Sequence, residues 1–158
     1  MNTYLFHSKS FIVSRVSEDI KPGYCTSPNA AAEIFRAIYQ ELDLDREHFV
    51  MLALNAKGRV IGHKVISTGH STACLVTPAM VFQAALVLGA VTVLVAHNHP
   101  SGDPSPSRED EELTLRLREA GKLLGVPLGD HLVLGFDSPD SVRSHSFRAK
   151  GEWDNALA

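Results

Sequence analysis

The sequence predicts an α/β protein, a single domain folded as an α-β-α sandwich around a mixed β-sheet. Three observations lead there. Helical and strand-like patterns alternate in the order α-β-β-α-β-α-β. A β-branched run, "AVTVLVA", has the unbroken apolar character of a central strand. The 158 residues, 44% hydrophobic and 21% charged, suffice for one core and are ordinary for a soluble globular chain.

Each element carries its own signal. Residues 1–30 are expected to form an N-terminal extension, with "SFIVSRV" as an edge strand before the breaker "KPGYCTSP". Ser27 followed by Pro28 marks an N-cap with proline at the first helical position. Behind it Ala31, Ile34, Phe35, Ile38 and Leu42 repeat at the spacing of one buried helix face, and the acidic "DLDRE" stretch ends the helix. "HFVMLALN" and "RVIGHKVIS" are strands joined by the turn "NAKG", where Gly58 supplies the permissive backbone. "TGHSTACLV" is expected as a loop entering a short strand. Thr77 and Pro78 open a second helix, "AMVFQAALVLG", apolar on nearly every side and therefore expected to be buried. Ser107 begins a third, with a stripe of Leu113, Leu117, Ala120 and Leu124 closed by Gly125 and Pro127. "DHLVLGF" is a further strand, and "SVRSHSF" another candidate.

Several function classes are disfavoured. A net charge of −3 gives no global attraction to nucleic acid. No run of apolar residues is long enough to span a bilayer, and the first 30 residues lack a secretory h-region. Two cysteines, Cys25 and Cys74, lie far apart in no ligand spacing, as expected of reduced thiols in a cytoplasmic protein.

The chemistry gathers in "HNHPSGDPSPSRED". His97 and His99 stand at i and i+2 of a strand end, so both rings point to one side. The next helix places Asp110 three residues after Ser107, across a loop stiffened by Pro100, Pro104 and Pro106. Two imidazoles, one carboxylate and an open fourth position are the make-up of a catalytic zinc site. The same residues admit a plainer description. Ser107 and Asp110 also form a capping-box pattern, and acids favour any first helical turn.

The whole stretch resembles the JAMM motif of MPN+ metalloproteases, His-x-His-Pro followed after six residues by Ser-x-x-Asp, here His97, His99, Pro100, Ser107 and Asp110. The wording is similar to one bacterial branch, the RadC family, as are "LREAGKLLGVPLGDHLVLG" and the tail "SFRAKG". The resemblance runs from about Arg46 to Gly151. It implies a JAB/MPN-like RadC domain over residues 31–158 with a cytidine-deaminase-like architecture, holding one Zn2+ on His97, His99 and Asp110. It also implies a glutamate at an earlier strand start as general base. Glu47 matches, 50 residues before His97, whereas Glu41 lies at a helix end and matches nothing. Ser107 is implied as hydrogen-bond donor to the developing oxyanion, beside its N-cap role.

Asp130 and His131 are expected chiefly as core residues at a strand start, with a role bracing the metal ligands as the alternative. His70 departs from a glycine-rich segment of the family, and pairing it with Cys74 as a thiol nucleophile has no special geometry. The resemblance points to hydrolysis of peptide or isopeptide amides in a protein or peptide substrate. Two other classes stand beside it. One is a DNA-repair-associated protein, although the helix-hairpin-helix module of longer relatives has no counterpart in residues 1–30. The other is a silent interaction module of the kind formed by MPN domains lacking the ligands.

Overall fold

A computed structural model of the chain describes residues 23–69 and 76–151. The expected edge strand at 10–16, and His70 with Cys74, lie outside the described residues. The described elements are α1 (Pro28–Tyr39), β1 (Glu47–Leu54), β2 (Val60–Gly69), α2 (Pro78–Leu88), β3 (Thr92–His99), α3 (Arg108–Leu124), β4 (Leu128–Ser138) and β5 (Ser141–Ser146). Their order is the one read from the sequence, and "SVRSHSF" does supply a strand.

The strands form one mixed five-stranded sheet in the order β2-β1-β3-β4-β5. Among the described strands only β3 and β4 run parallel. Their connection is the third helix, since a parallel pair needs a crossover where an antiparallel pair needs only a turn. The β1–β2 hairpin closes through Asn55 to Gly58, with Gly58 at φ +73° as the turn requires.

Alternation along the strands divides the interior into two cores. Phe49, Met51, Val93 and Val95 face α2 and α3. Val50, Leu52, Leu94 and Ala96 face α1, where they meet Phe35, Ile38 and Tyr39. The result is the expected α-β-α sandwich around a mixed sheet. Among the described residues no helix is long and apolar enough to cross a membrane.

Two expectations need correction. The first helix stops at Tyr39, with Gln40 as its cap. Leu42 therefore lies beyond the helix, although it still packs against the α1-side core. The second helix is not buried all round. Val81, Phe82, Ala84 and Ala85 are buried, but Leu86 and Val87 are 53% and 57% exposed. The helix occupies an outer layer, where one side meets the sheet and the other meets no described element. An apolar composition without a stripe cannot reveal which side that is.

Candidate metal centre

The parallel pair sets the site. β3 ends in His97-Asn98-His99, and alternation sends both imidazoles to the α3 face while Asn98 points to the α1 face. His97 is fully buried and stacks on Phe49, ring planes 7° apart. Opposite the strand end lies the start of α3, where Asp110 is 3% exposed.

The two readings of Asp110 hold together. The capping box is complete: Asp110 Oδ2 accepts from the Ser107 backbone N–H at 2.7 Å, and Ser107 Oγ accepts from the Asp110 N–H at 3.2 Å. The same carboxylate reaches across to β3. Its Oδ1 lies 3.1 Å from His97 Nε2 and its Oδ2 lies 3.4 Å from His99 Nε2. The two Nε2 atoms are themselves 3.1 Å apart. One ligand atom from each of His97, His99 and Asp110 can thus serve a common ion, all within 4.8 Å of one another. Tetrahedral zinc with bonds of about 2.0–2.2 Å needs ligand atoms about 3.3–3.6 Å apart, so the separations need little adjustment.

Electrostatics agree with the geometry. Burial alone raises the Asp110 carboxyl, but the adjacent His97 and His99 rings and the Ser107 N–H overcome it and hold the group well below the carboxylate range. Asp110 is therefore ionised, an acceptor on both oxygens. Its hydrogen bond to His99 holds that ring above the usual imidazole value against the opposing effect of burial, with help from the Asp103 carbonyl and the charges of Asp110 and Glu47.

The loop between the ligands is held at several points. His99 Nδ1 lies 2.8 Å from the Asp103 carbonyl, which turns Nε2 toward the site. Gly102, at φ +79°, carries the turn, and Arg143 donates to its carbonyl at 2.9 Å. The loop lies flat on β4 at Gly135, where an added Cβ would overlap the Gly102 carbonyl.

Glu47 opens β1 as expected. Phe49 pairs with His97, and continuing that register by two residues puts Glu47 on the same sheet face as His99. Asn98 holds the backbone on either side of it: Oδ1 accepts from the His48 N–H at 2.8 Å, and Nδ2 donates to the Arg46 carbonyl at 2.9 Å. Sequence reasoning passed over Asn98, although strand alternation marks it as the residue directed away from its two neighbours. His131 is the core residue expected, and it also meets a candidate ligand ring. The His131 ring is fully buried and stacked on Phe147, and its Nε2 lies 2.9 Å from His97 Nδ1. Thr114 completes the contact, 2.6 Å from His131 Nδ1. Its spacing of one helical turn from Asp110 was the available signal.

The fold and the cluster together define an α/β domain with a candidate metal site at the open end of its parallel strand pair. The chain belongs to the family of RadC-like JAB domains, whose family model matches residues 25–151. The match begins at Cys25, earlier than the resemblance from Arg46, and so takes in α1. A UPF0758 protein of Caldanaerobacter subterraneus subsp. tengcongensis is 40% identical over 130 residues, covering 82% of this chain and 52% of that protein. One from Shouchella clausii is 41% identical over 137 residues, covering 87% and 58%. A third, from Desulforamulus reducens, is 45% identical over 102 residues, covering 65% and 45%. The chain spans about half the length of these curated relatives. Their name states no activity.

Proposed function

We propose that this domain is a zinc-dependent hydrolase of amide bonds in a protein or peptide substrate. The observation that carries the reading is the convergence of His97 Nε2, His99 Nε2 and the ionised Asp110 carboxylate at ligand spacing, with His97 and Asp110 buried and His99 half-buried. These three side chains would hold the ion. When bound, zinc lowers the pKa of a coordinated water to about 7 and polarises a carbonyl.

Glu47 serves as general base, taking the proton of the attacking water and delivering it to the leaving nitrogen. Its place on the sheet face of His99, with Asn98 holding the flanking backbone, supports that role. Ser107 is exposed, and its oxygen accepts from the Asp110 N–H, so its own proton is available for the developing oxyanion. Asp110 keeps the acidic end of α3 neighbouring the ligands through its capping bond.

The test joins metal analysis of the purified protein to peptide-library cleavage. The parent is expected to hold about one zinc per chain. Glu47→Gln is expected to keep that zinc while cleavage falls by about 10²–10⁴-fold. Equal cleavage by the parent and Glu47→Gln would falsify the assignment. A zinc-loaded parent that cleaves nothing in the library favours the interaction-module alternative.

A further inference from the structure

We propose that Thr114 and His131 are positioning residues, the single hydroxyl proton of Thr114 setting the tautomer of His131 and, through it, of His97, so that His97 Nε2 presents a bare lone pair beside Asp110 and His99. The inference rests on the metal-site reading above for its purpose, and on proton counting for its direction.

Thr114 Oγ1 lies 2.6 Å from the backbone carbonyl of Asp110, one turn earlier on α3. A carbonyl has no proton to give, and two oxygens that close repel unless a proton lies between them, so the hydroxyl donates there. The same Oγ1 is 2.6 Å from His131 Nδ1. Having spent its only proton, it accepts, and His131 Nδ1 carries the hydrogen. His131 is completely buried, with no carboxylate of the described residues in contact with its ring, an environment that favours the neutral imidazole, and a neutral ring has one N–H only. His131 Nε2 is therefore an acceptor, and His97 Nδ1, 2.9 Å away, donates to it. In neutral His97 this leaves Nε2 bare.

The chain begins on the backbone of one candidate ligand and ends on the ring of another, passing through α3, β4 and β3. With His99 neutral and its Nδ1 donating to the Asp103 carbonyl, His97 Nε2, His99 Nε2 and the Asp110 carboxylate bring three acceptors together. A cation completes such an arrangement. Were Thr114 to donate to His131 Nδ1 instead, the bond between the two rings would reverse and put a proton on His97 Nε2, directed at Asp110 Oδ1, closing the site on itself. The Thr114 hydroxyl decides between the two.

Thr114→Val removes the hydroxyl at nearly constant shape, and Thr114→Ser keeps it. Zinc affinity is read by competition with a chromophoric chelator, and nitrogen-15 correlation spectra read which His131 nitrogen carries hydrogen. Thr114→Val is expected to bind zinc about 10–100-fold more weakly, with Thr114→Ser matching the parent. His131 is expected to be protonated at Nδ1 in the parent and in Thr114→Ser. Parent-like affinity in Thr114→Val overturns the proposal, even with a lowered unfolding temperature, since a purely structural hydroxyl would give that result. A proton on His131 Nε2 in the parent overturns it too. A parent that binds no zinc defeats the metal-site reading instead, and the nitrogen-15 pattern then decides the proton chain alone.

Discussion

The two faces of the sheet are equally apolar in mid-strand and differ where β3 ends. On the α1 face the polar groups at that strand end bond backbone. Asn98 bonds the backbone of His48 and Arg46, and the Tyr39 hydroxyl, 2.7 Å from the His48 carbonyl and 3.1 Å from that of Ala96, ties α1 to the same corner. On the α3 face the polar groups instead turn their acceptors toward one point, His97 Nε2, His99 Nε2 and the Asp110 carboxylate within 3.4 Å along each contact. Paired polarity holds strands in register. Convergent groups of metal-ligating type at ligand spacing mark a candidate binding site.

The sharpest way to break this contrast is Asp110→Asn. The amide oxygen can still accept the Ser107 N–H, so the cap survives while the negative charge is lost. Zinc affinity is expected to fall by at least about 100-fold, with little change in the melting temperature of the metal-free protein. Isothermal titration and thermal melting read the two effects separately. A large loss of metal-free stability would mean that Asp110 is scaffold first.

Gly135→Ala tests whether the α3-face site depends on the loop that carries Asp103. The added methyl meets the Gly102 carbonyl, so the loop must lift, at an expected cost of about 1–3 kcal/mol in urea unfolding. Zinc affinity is expected to drop as well, because the Asp103 carbonyl orients His99. Unchanged affinity would show that His99 keeps its orientation without the loop.

Asn98→Ala probes the other face and should behave in the opposite sense to Asp110→Asn. It leaves buried backbone groups of His48 and Arg46 without their partner, an expected loss of about 1–2 kcal/mol, while zinc stoichiometry stays at the parental level. Loss of zinc in this variant would erase the distinction between the faces. The smallest effect is expected from Ser107→Ala, about 1 kcal/mol of stability through the lost cap. If Ser107 also serves the oxyanion, cleavage falls by about 10²–10³-fold, far more than that stability change explains.

Much of this was legible in the chain. The order of elements followed from periodicity, and His97, His99 and Asp110 were found because a short loop joins them and their types are those of a ligand set. The limits have physical causes. The exposed side of α2 could not be read, since Leu86 and Val87 differ from their buried neighbours only in what lies opposite. Asn98 was obscured by the histidines around it. For His131 the expected core placement holds, and the alternative weighed beside it is compatible with it, since the ring packed on Phe147 also contacts His97.

By itself, then, the amino-acid order determined the α/β architecture, the strand that carries the imidazoles and the helix that carries the acid, since local spacing and backbone preference act over a few residues. Only the tertiary structure decided that Asp110 caps its helix and faces the histidines at once, that Asn98 holds the entry to β1, and that Thr114 and His131 join α3 to β3. Those contacts link residues far apart in sequence, and their distances and proton directions exist only once the sheet has assembled and the helices have packed on it.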